Sequence, residues 1–542
     1  VKTRHNGVAH DERLLIVSKY FAGIDAGTTG ASVIIFDGTG KMISSGYREY
    51  RTKHPHPGWV DQDMHELWAG ICDAAKQATS SFPGDVKDIV SIGVSSQRGS
   101  FIPIDQSWTP LSDAIVWSDG RSNKQTAWMK EEFGEEGYYG ISGLNISSLW
   151  VYPKLMWLKE NWPEIYRNTW KIVNGQEWIL HQLGSDELFA DPSALNYNGM
   201  FDIQTLDYSS ELFSRAGLDL DLMPPLLHEL RPVGEVSAAA AEATGFAKGT
   251  VLSPGGGDQQ CAAVGSGVNR QGLAELSLGT AAVMVAQLDE APDMAQNLQS
   301  GVSFGAHAIP GRWDMEGTAH AAGEVLRWWR DTYGQPEVRA AQELDLNPYD
   351  LITLEAAKAP VGSHGLIFFP FFNSQANPYF HDNARGGMLG ITQIHTRAHA
   401  ARAVLEGVAY ELRMSVEAME NAMGEPFETI RLSGGGAKSL FWSQVQADIY
   451  GRPVERLIVS ECAALGAAIL GGVGAGALPS VDTAIENMVH TRGFIYPNEA
   501  NHAVYNEYYE IFKKAFLAWA EADVYNDLAA VNEKMANVPA AN

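Results

Sequence analysis

The run Tyr20-Phe-Ala-Gly-Ile-Asp25-Ala-Gly-Thr-Thr-Gly30-Ala-Ser-Val-Ile-Ile-Phe-Asp37 decides how the chain is read. Tyr20 to Asp25 is a short apolar strand ending in an acid. Ala26 to Gly30 is a turn, and Ala31 to Asp37, rich in β-branched residues, is a second strand that runs into the turn Gly38-Thr-Gly40. The tip of this hairpin has the chemistry of a phosphate loop. Gly27 and Gly30 permit tight backbone conformations, so several N–H groups converge on one point. Thr28 and Thr29 add hydroxyl donors, and Asp25 suits a hydrated Mg²⁺ beside the phosphates. Taken alone, the segment fits an ordinary hairpin turn equally well.

The pattern returns. Leu273 to Leu278 leads into Gly279-Thr280 and then Ala281 to Ala286, again strand, Gly-Thr turn, strand. A structural repeat divides the chain near residue 270 and predicts two similar α/β domains facing one another, with both turns pointing into the cleft. Residues 1–18 read as a loose extension, 19–270 as the first domain, 271–500 as the second and 501–542 as an acidic helical tail appended to the surface. Between the turns, Ile89 to Ser95 and Ala114 to Trp117 read as buried strands. In the second half, Leu405, Val408, Leu412, Val416 and Met419 fall at helical spacing, with Arg402, Glu406, Arg413 and Glu420 at polar positions. Thr429 to Leu432 is a strand, and Phe441 to Tyr450 a helix.

Composition narrows the function. The chain has 542 residues with 39 Lys+Arg against 65 Asp+Glu, a net charge of −26 that argues against nucleic-acid binding. Apolar residues make up 45% and charged residues 19%, a globular balance. Cys72, Cys261 and Cys462 lie far apart, so neither a disulfide framework nor a CxxC metal pair is expected, and a reducing, cytoplasmic setting is. The uncharged stretch Cys462 to Pro479 is short for a membrane span and reads as a buried helix and loop.

Three further segments carry polar chemistry. In Gly255-Gly-Gly-Asp258-Gln-Gln260, the acid opens a small-residue helix, where it either accepts a proton from an attacking hydroxyl or caps free N–H groups. Ser433-Gly-Gly-Gly-Ala-Lys-Ser439 lacks the glycines of a Walker loop; its triple-Gly turn suits a flat ring such as adenine, or simply a tight strand-to-helix turn. Ser95-Ser-Gln97-Arg98-Gly99-Ser100 and Trp117-Ser-Asp119-Gly-Arg121 end strands, where ligands of α/β sheets bind. Their polar edges and the indole suit a polyhydroxylated substrate, and surface-loop chemistry is the alternative. No GxGxxG or zincin helix is present, and no G-x-S-x-G elbow with a triad suggests itself.

In this order and spacing, the segments resemble the FGGY family of carbohydrate kinases, from about Tyr20 to residue 500. The matching pieces are Gly23 to Thr29, Pro57-Gly-Trp-Val-Asp61, Ala114 to Trp117, Gly257 to Gln260, Leu278-Gly-Thr280, Glu316-Gly317, Gly386 to Gly390 and Leu432 to Asp448. The resemblance implies two actin-like, ribonuclease-H-like domains around a deep cleft, with the sugar mainly on the first and ATP mainly on the second. By position, Asp258 matches the catalytic base, and Asp25 the acid near Mg²⁺. Thr28, Thr29, Gly279 and Thr280 match the phosphate loops, and Gly323, Gly435 and Ser439 the nucleotide contacts. Gln97, Arg98, Trp117, Asp119 and Gln259 match the sugar side. The implied partners are a small sugar or polyol, ATP and Mg²⁺, with no nucleic acid or membrane and with a homodimer as the expected assembly. Glycerol kinases carry an acid after the Arg, where this chain has Gly99, and a Tyr where it has Leu149. Trp117-Ser-Asp-Gly-Arg121 is more like xylulokinases, although Gln97-Arg98 replaces their Met-His pair. The Gly434-Gly-Gly436-Ala-Lys438 stretch also suits autoinducer-type kinases. A ketopentose such as xylulose is the first expectation, with glycerol, ribulose and autoinducer-2 as alternatives. A non-catalytic actin-like switch and a sugar sensor are the rival classes.

Overall fold

A computed structural model describes residues 19–536; the expected extension at 1–18 lies outside them. The first sheet contains β1 (Tyr20–Ala26), β2 (Gly30–Asp37), β3 (Met42–Glu49), β4 (Ile89–Ser96), β5 (Gly234–Glu235) and β6 (Val251–Gly257), in the order β3-β2-β1-β4-β6-β5. The opening hairpin is as expected: β1 and β2 are antiparallel, with Ala26 opposite Ala31 at the tip. β4 lies parallel to β1, and β6 parallel to β4. Helix α1 (Met64–Ser81) packs on β2 and β3 after Asp63, whose side chain accepts from the His65 and Glu66 N–H groups. Helix α2 (Asp258–Gly265) follows β6 directly.

The second sheet repeats this plan. It contains β7 (Leu273–Leu278), β8 (Ala282–Leu288), β9 (Ser303–Ala306), β10 (Trp313–Ala319), β11 (Thr429–Ser433), β12 (Val454–Leu457) and β13 (Thr491–Ile495), ordered β9-β10-β8-β7-β11-β12-β13. A hairpin, an outer third strand and two parallel strands on the far side of the first appear in both halves. The repeat inferred from two Gly-Thr turns is therefore a repeat of topology, and both turns occupy the same place in their sheets. Helices α3 (Gly323–Thr332), α4 (Arg397–Met423), α5 (Leu440–Tyr450), α6 (Cys462–Gly474) and α7 (Glu499–Glu521) belong to the second half of the sequence.

Helix α6 is the buried helix expected at Cys462, but it packs on the first sheet. A Cβ on Gly23 of β1 would lie 1.8 Å from the Ala464 carbonyl oxygen, and one on Gly93 of β4 would lie 1.8 Å from that of Ala467. The two glycines flatten the centre of the sheet so that a helix of Ala and Gly rests on bare backbone. Helix α2 crosses α6 with equal intimacy, since a Cβ on Gly466 would lie 1.8 Å from the Cys261 carbonyl oxygen. The halves are thus joined by two crossed helices.

Residues Glu499–Glu521 and Val524–Ala536 are helical, but α7 is not an appended surface tail. Tyr505, Tyr509, Phe512 and Phe516 of α7 are fully buried, and Phe512 stacks on Phe369 with centroids 4.9 Å apart. The Tyr505 hydroxyl donates to Glu406 and accepts from Arg402, which explains why these two "polar positions" of α4 are buried. A spacing of four residues marks a helix face in both α4 and α7, and the aromatic content of α7 was the sign that its face is covered. Among the described residues no helix is long and apolar enough to cross a membrane, and the three cysteines are buried and unpaired.

Gly466→Ala places a methyl against the Cys261 carbonyl and is expected to lower the thermal midpoint, because overpacking costs roughly 1–3 kcal/mol. Gly137→Ala, whose added methyl meets nothing within 4 Å, is the control and leaves the midpoint unchanged or slightly raised in the same thermal-unfolding experiment.

Candidate active site

Arg98 follows the end of β4 and is buried between the two sheets. Its Nε donates to Asp258 Oδ1 at 3.1 Å, its Nη2 to Glu316 Oε2 at 3.0 Å, and its Nη1 to Glu316 Oε1. Asp258 opens α2, Glu316 lies on β10, and the guanidinium covers the Tyr197 ring at 4.2 Å from its centroid. The Tyr197 hydroxyl also donates to Glu316 Oε2, at 3.1 Å. One cation therefore ties the end of the first sheet to the second. Gln260 donates to both Glu316 and Asp314, at 2.9 and 2.8 Å. A single guanidinium cannot neutralise three carboxyl groups, so burial and the Glu316 charge push Asp314 well above the carboxylate range.

The Asp258 side chain is 27% exposed, so it faces out from this cluster. Its Oδ1 also accepts the Gln259 N–H at 2.9 Å. Burial raises its proton affinity, and Arg98 works against the rise. Asp25, at the end of β1, is partly exposed, and its Oδ1 accepts from Ser95 Oγ at 2.8 Å. Burial and the neighbouring Asp258 push its carboxyl up to about 7, and the Ser95 hydrogen bond opposes them. Two carboxylates thus sense each other at the mouth of the first turn.

Each turn is braced from behind. The Tyr50 hydroxyl donates to the Gly27 carbonyl at 2.6 Å and approaches that of Gly30 at 3.0 Å, and the Gly27 N–H reaches the Gly30 carbonyl at 3.0 Å. Thr29 is exposed. The Thr28 hydroxyl donates to Gln97 Oε1 and accepts from Trp117 Nε1, both at 2.9 Å. Gln97 in turn donates to Gln62, whose amide returns to the Thr28 carbonyl. In the second turn Gly279 and Thr280 are exposed, and their carbonyls accept N–H groups of Ala322, Gly323 and Glu324. Gly323 is needed for this approach, because a Cβ there would lie 2.4 Å from the Gly279 oxygen. Ala282, just after the turn, pairs with Ala319, three residues along β10 from Glu316. That places the second turn roughly 10 Å from the ion cluster at 3.3 Å per residue.

The structure sorts the remaining expected residues. Gly435 is exposed with open space where a Cβ would be, as a surface for a flat ring requires. Ser439 caps α5, its Oγ accepting the Trp442 N–H at 3.2 Å. Trp117 is 37% exposed. Gln259 is half-buried, with a buried Oε1 that has no hydrogen-bond partner. Asp119 is not brought to the surface of the site. It is fully buried and accepts from the Arg121 Nε and the Val60 N–H, at 2.8 and 2.6 Å. Arg121 also pairs with Asp61 and stacks on Trp59. The reading of Asp119 as a sugar contact is corrected: an adjacent arginine and a backbone donor occupy its oxygens. Arg98, too, gives its hydrogens to protein carboxylates and acts on the site through Asp258. Sequence reasoning missed Tyr50, Gln62 and Asp314, which lie on no motif, Ser95, whose motif was read without a role for it, and Arg327, whose guanidinium reaches Thr280 Oγ1 at 3.2 Å.

Residues 20–265 match the model of the FGGY carbohydrate-kinase N-terminal domain, and residues 274–475 match that of the C-terminal domain. The chain belongs to the FGGY family of carbohydrate kinases. Its relatives include a xylulose kinase of Staphylococcus epidermidis, 28% identical over 92% of this chain and 97% of that one. An autoinducer-2 kinase of an Enterobacter species is 30% identical over 90% and 92%. Among solved structures, a xylulose-type kinase from Brucella ovis superimposes with a TM-score of 0.82 at 25% identity, covering 93% of this chain and all of that one. The FGGY kinase fold is the pair of actin-like domains built here from the two sheets, and the chain is a sugar kinase that uses ATP.

The raised Asp25 carboxyl has a consequence for stability. Its folded value of about 7 lies above the ordinary 3.8, so the folded chain holds a proton that the unfolded chain gives up, and stability falls as pH rises between these values. Asp25→Asn keeps the oxygen that accepts from Ser95 and removes the charge. In metal-free buffer the variant is expected to melt above wild type by roughly 2 °C or more at pH 8, with the difference fading toward pH 4.

Proposed function

We propose that the chain transfers the γ-phosphoryl group of ATP to a primary hydroxyl of a ketopentose such as xylulose, with Asp258 as general base. The observation that carries this reading is the partly exposed Asp258 carboxylate, held by Arg98 between the acid at the first Gly-Thr turn and Glu316 on β10. Asp258 accepts the hydroxyl proton as the new O–P bond forms and the bridging O–P bond to ADP breaks. Its raised proton affinity suits a base working near neutral pH. Thr28, Thr29, Gly279 and Thr280 supply N–H and hydroxyl donors to the phosphates, with Arg327 beside them, and Gly323 and Gly435 give the nucleotide a close backbone approach. Positioning and electrostatics then supply most of the rate.

The donor set also fits Mg²⁺. A carboxyl group whose proton affinity is raised by burial and a neighbouring carboxylate, at the mouth of a phosphate turn, is the arrangement that a hydrated divalent cation relieves, and Mg²⁺ needs only one or two protein carboxylates when phosphates complete its shell. Asp25 would hold it, and the ion would spread the charge of the transferred phosphoryl group.

For the substrate, Trp117 offers an exposed apolar face and Gln259 a polar edge, whereas Gln97, expected there too, is buried with its amide given to Thr28 and Gln62 and supports the wall from behind. The acid that glycerol kinases carry after the arginine has no space in this chain: a Cβ on Gly99 would already lie 3.2 Å from those of Trp117 and Tyr197. Relatives named xylulose kinase, in Staphylococcus epidermidis and Bacillus subtilis, support a ketopentose. The autoinducer-2 kinases at 30% identity support a second reading with that substrate at the same site.

Asp258→Asn is expected to fold and bind ATP while kcat falls by at least about 10², the low end for general-base catalysis. Near-normal turnover removes Asp258 from the mechanism. ATP consumption against a panel of xylulose, ribulose, glycerol and autoinducer-2 is expected to give the largest kcat/KM with a ketopentose, and a larger value for another member replaces the substrate assignment.

A further inference from the structure

Lys154 lies in the first turn of the helix Val151–Asn161 and is wholly buried. Its Nζ donates to three main-chain carbonyls, those of Val116 at 3.0 Å, Trp117 at 2.7 Å and Leu149 at 2.8 Å. Among the described residues no carboxylate shares it within ion-pair distance, since Asp119 is engaged by Arg121. Burial pushes the ammonium down to about 7, with Asp119 pulling it up and Arg121 pushing it further down. An unpaired buried cation is costly to keep. As a packing element alone, methionine would serve as well.

What the three carbonyls have in common is the wall beside Arg98. Gly99 is wedged against Trp117, Tyr197 and the Leu149 carbonyl, each within 4 Å of the Cβ it lacks. Trp117 follows a strand of only two residues, Ala114–Ile115, so no sheet ladder holds its backbone. Its N–H donates to Ser100 Oγ and its indole Nε1 to Thr28 of the first phosphate turn. Among the described residues, Lys154 is the one charged side chain that hydrogen-bonds to the carbonyls of this segment.

We propose that Lys154 is a positioning residue for the sugar: it pins the backbone at Trp117 and Leu149, so that the indole stays against the substrate and on Thr28. The inference rests on the reading of Trp117 as a sugar contact. Lys154 touches neither the sugar nor the nucleotide, and its effect should therefore appear in one Michaelis constant and not in the other.

The test is steady-state kinetics of Lys154→Met and Lys154→Gln with the best sugar of the wild-type enzyme, beside thermal unfolding. The methionine variant is expected to raise the sugar KM about tenfold, a misplaced contact surface being worth at least that. The glutamine variant, which keeps two of the three hydrogens, raises it less, and the ATP KM stays within about twofold in both. If the methionine variant fails to fold, the glutamine variant is judged by the same split. An unchanged sugar KM, parallel increases in both constants, or failure of both variants to fold overturns the inference in favour of a purely structural lysine. A wild-type enzyme that phosphorylates no sugar overturns the functional reading, and this inference with it; an active wild type with unshifted variants overturns this inference alone.

Discussion

One buried guanidinium sets the geometry on which the site depends. Arg98 comes from the first sheet, holds Asp258 at the head of α2, and grips Glu316 on the second sheet. A charge this deep is costly unless its hydrogens find acceptors, and the carboxylates that accept from Arg98 come from both halves of the molecule. The spacing between the halves is therefore tied to the ionic balance of the site. Asp258 is left at the exposed rim, while burial and the Glu316 charge raise the proton affinity of Asp314.

Around this centre, the parts that meet solvent are short turns, and the parts that hold them are buried polar groups. Tyr50 supports one turn and the start of α3 supports the other. Trp117 Nε1 donates to the Thr28 hydroxyl, which donates in turn to Gln97, so these contacts reach the first Gly-Thr turn through one side chain, while the Tyr50 hydroxyl holds its main chain independently.

Much of this was legible in the sequence, for identifiable reasons. Strand, Gly-Thr turn, strand is a local pattern, so both hairpins and their shared topology could be read from a few residues. The acid at 258 was legible because three glycines and a small-residue helix leave it few surroundings. Asp119 misled because its neighbour Arg121, visible in the same motif, turned out to be its partner, and sequence alone does not say which way an acid in a turn faces. Tyr50, Gln62 and Lys154 were invisible because their partners are main-chain carbonyls or distant amides, and such contacts leave no spacing behind. The covered face of α7 needed its aromatics to be weighed above its charge.

Helix α6 is made late in synthesis, yet it forms the floor beneath the earliest strands. Until residues 462–474 emerge, β1 and β4 present a bare strip of main chain at Gly23 and Gly93. A ribosome-bound first half is thus a surface awaiting its lining, and the molecule is not divisible into two halves that fold apart. Gene truncation between the halves removes the underside of the half that is left.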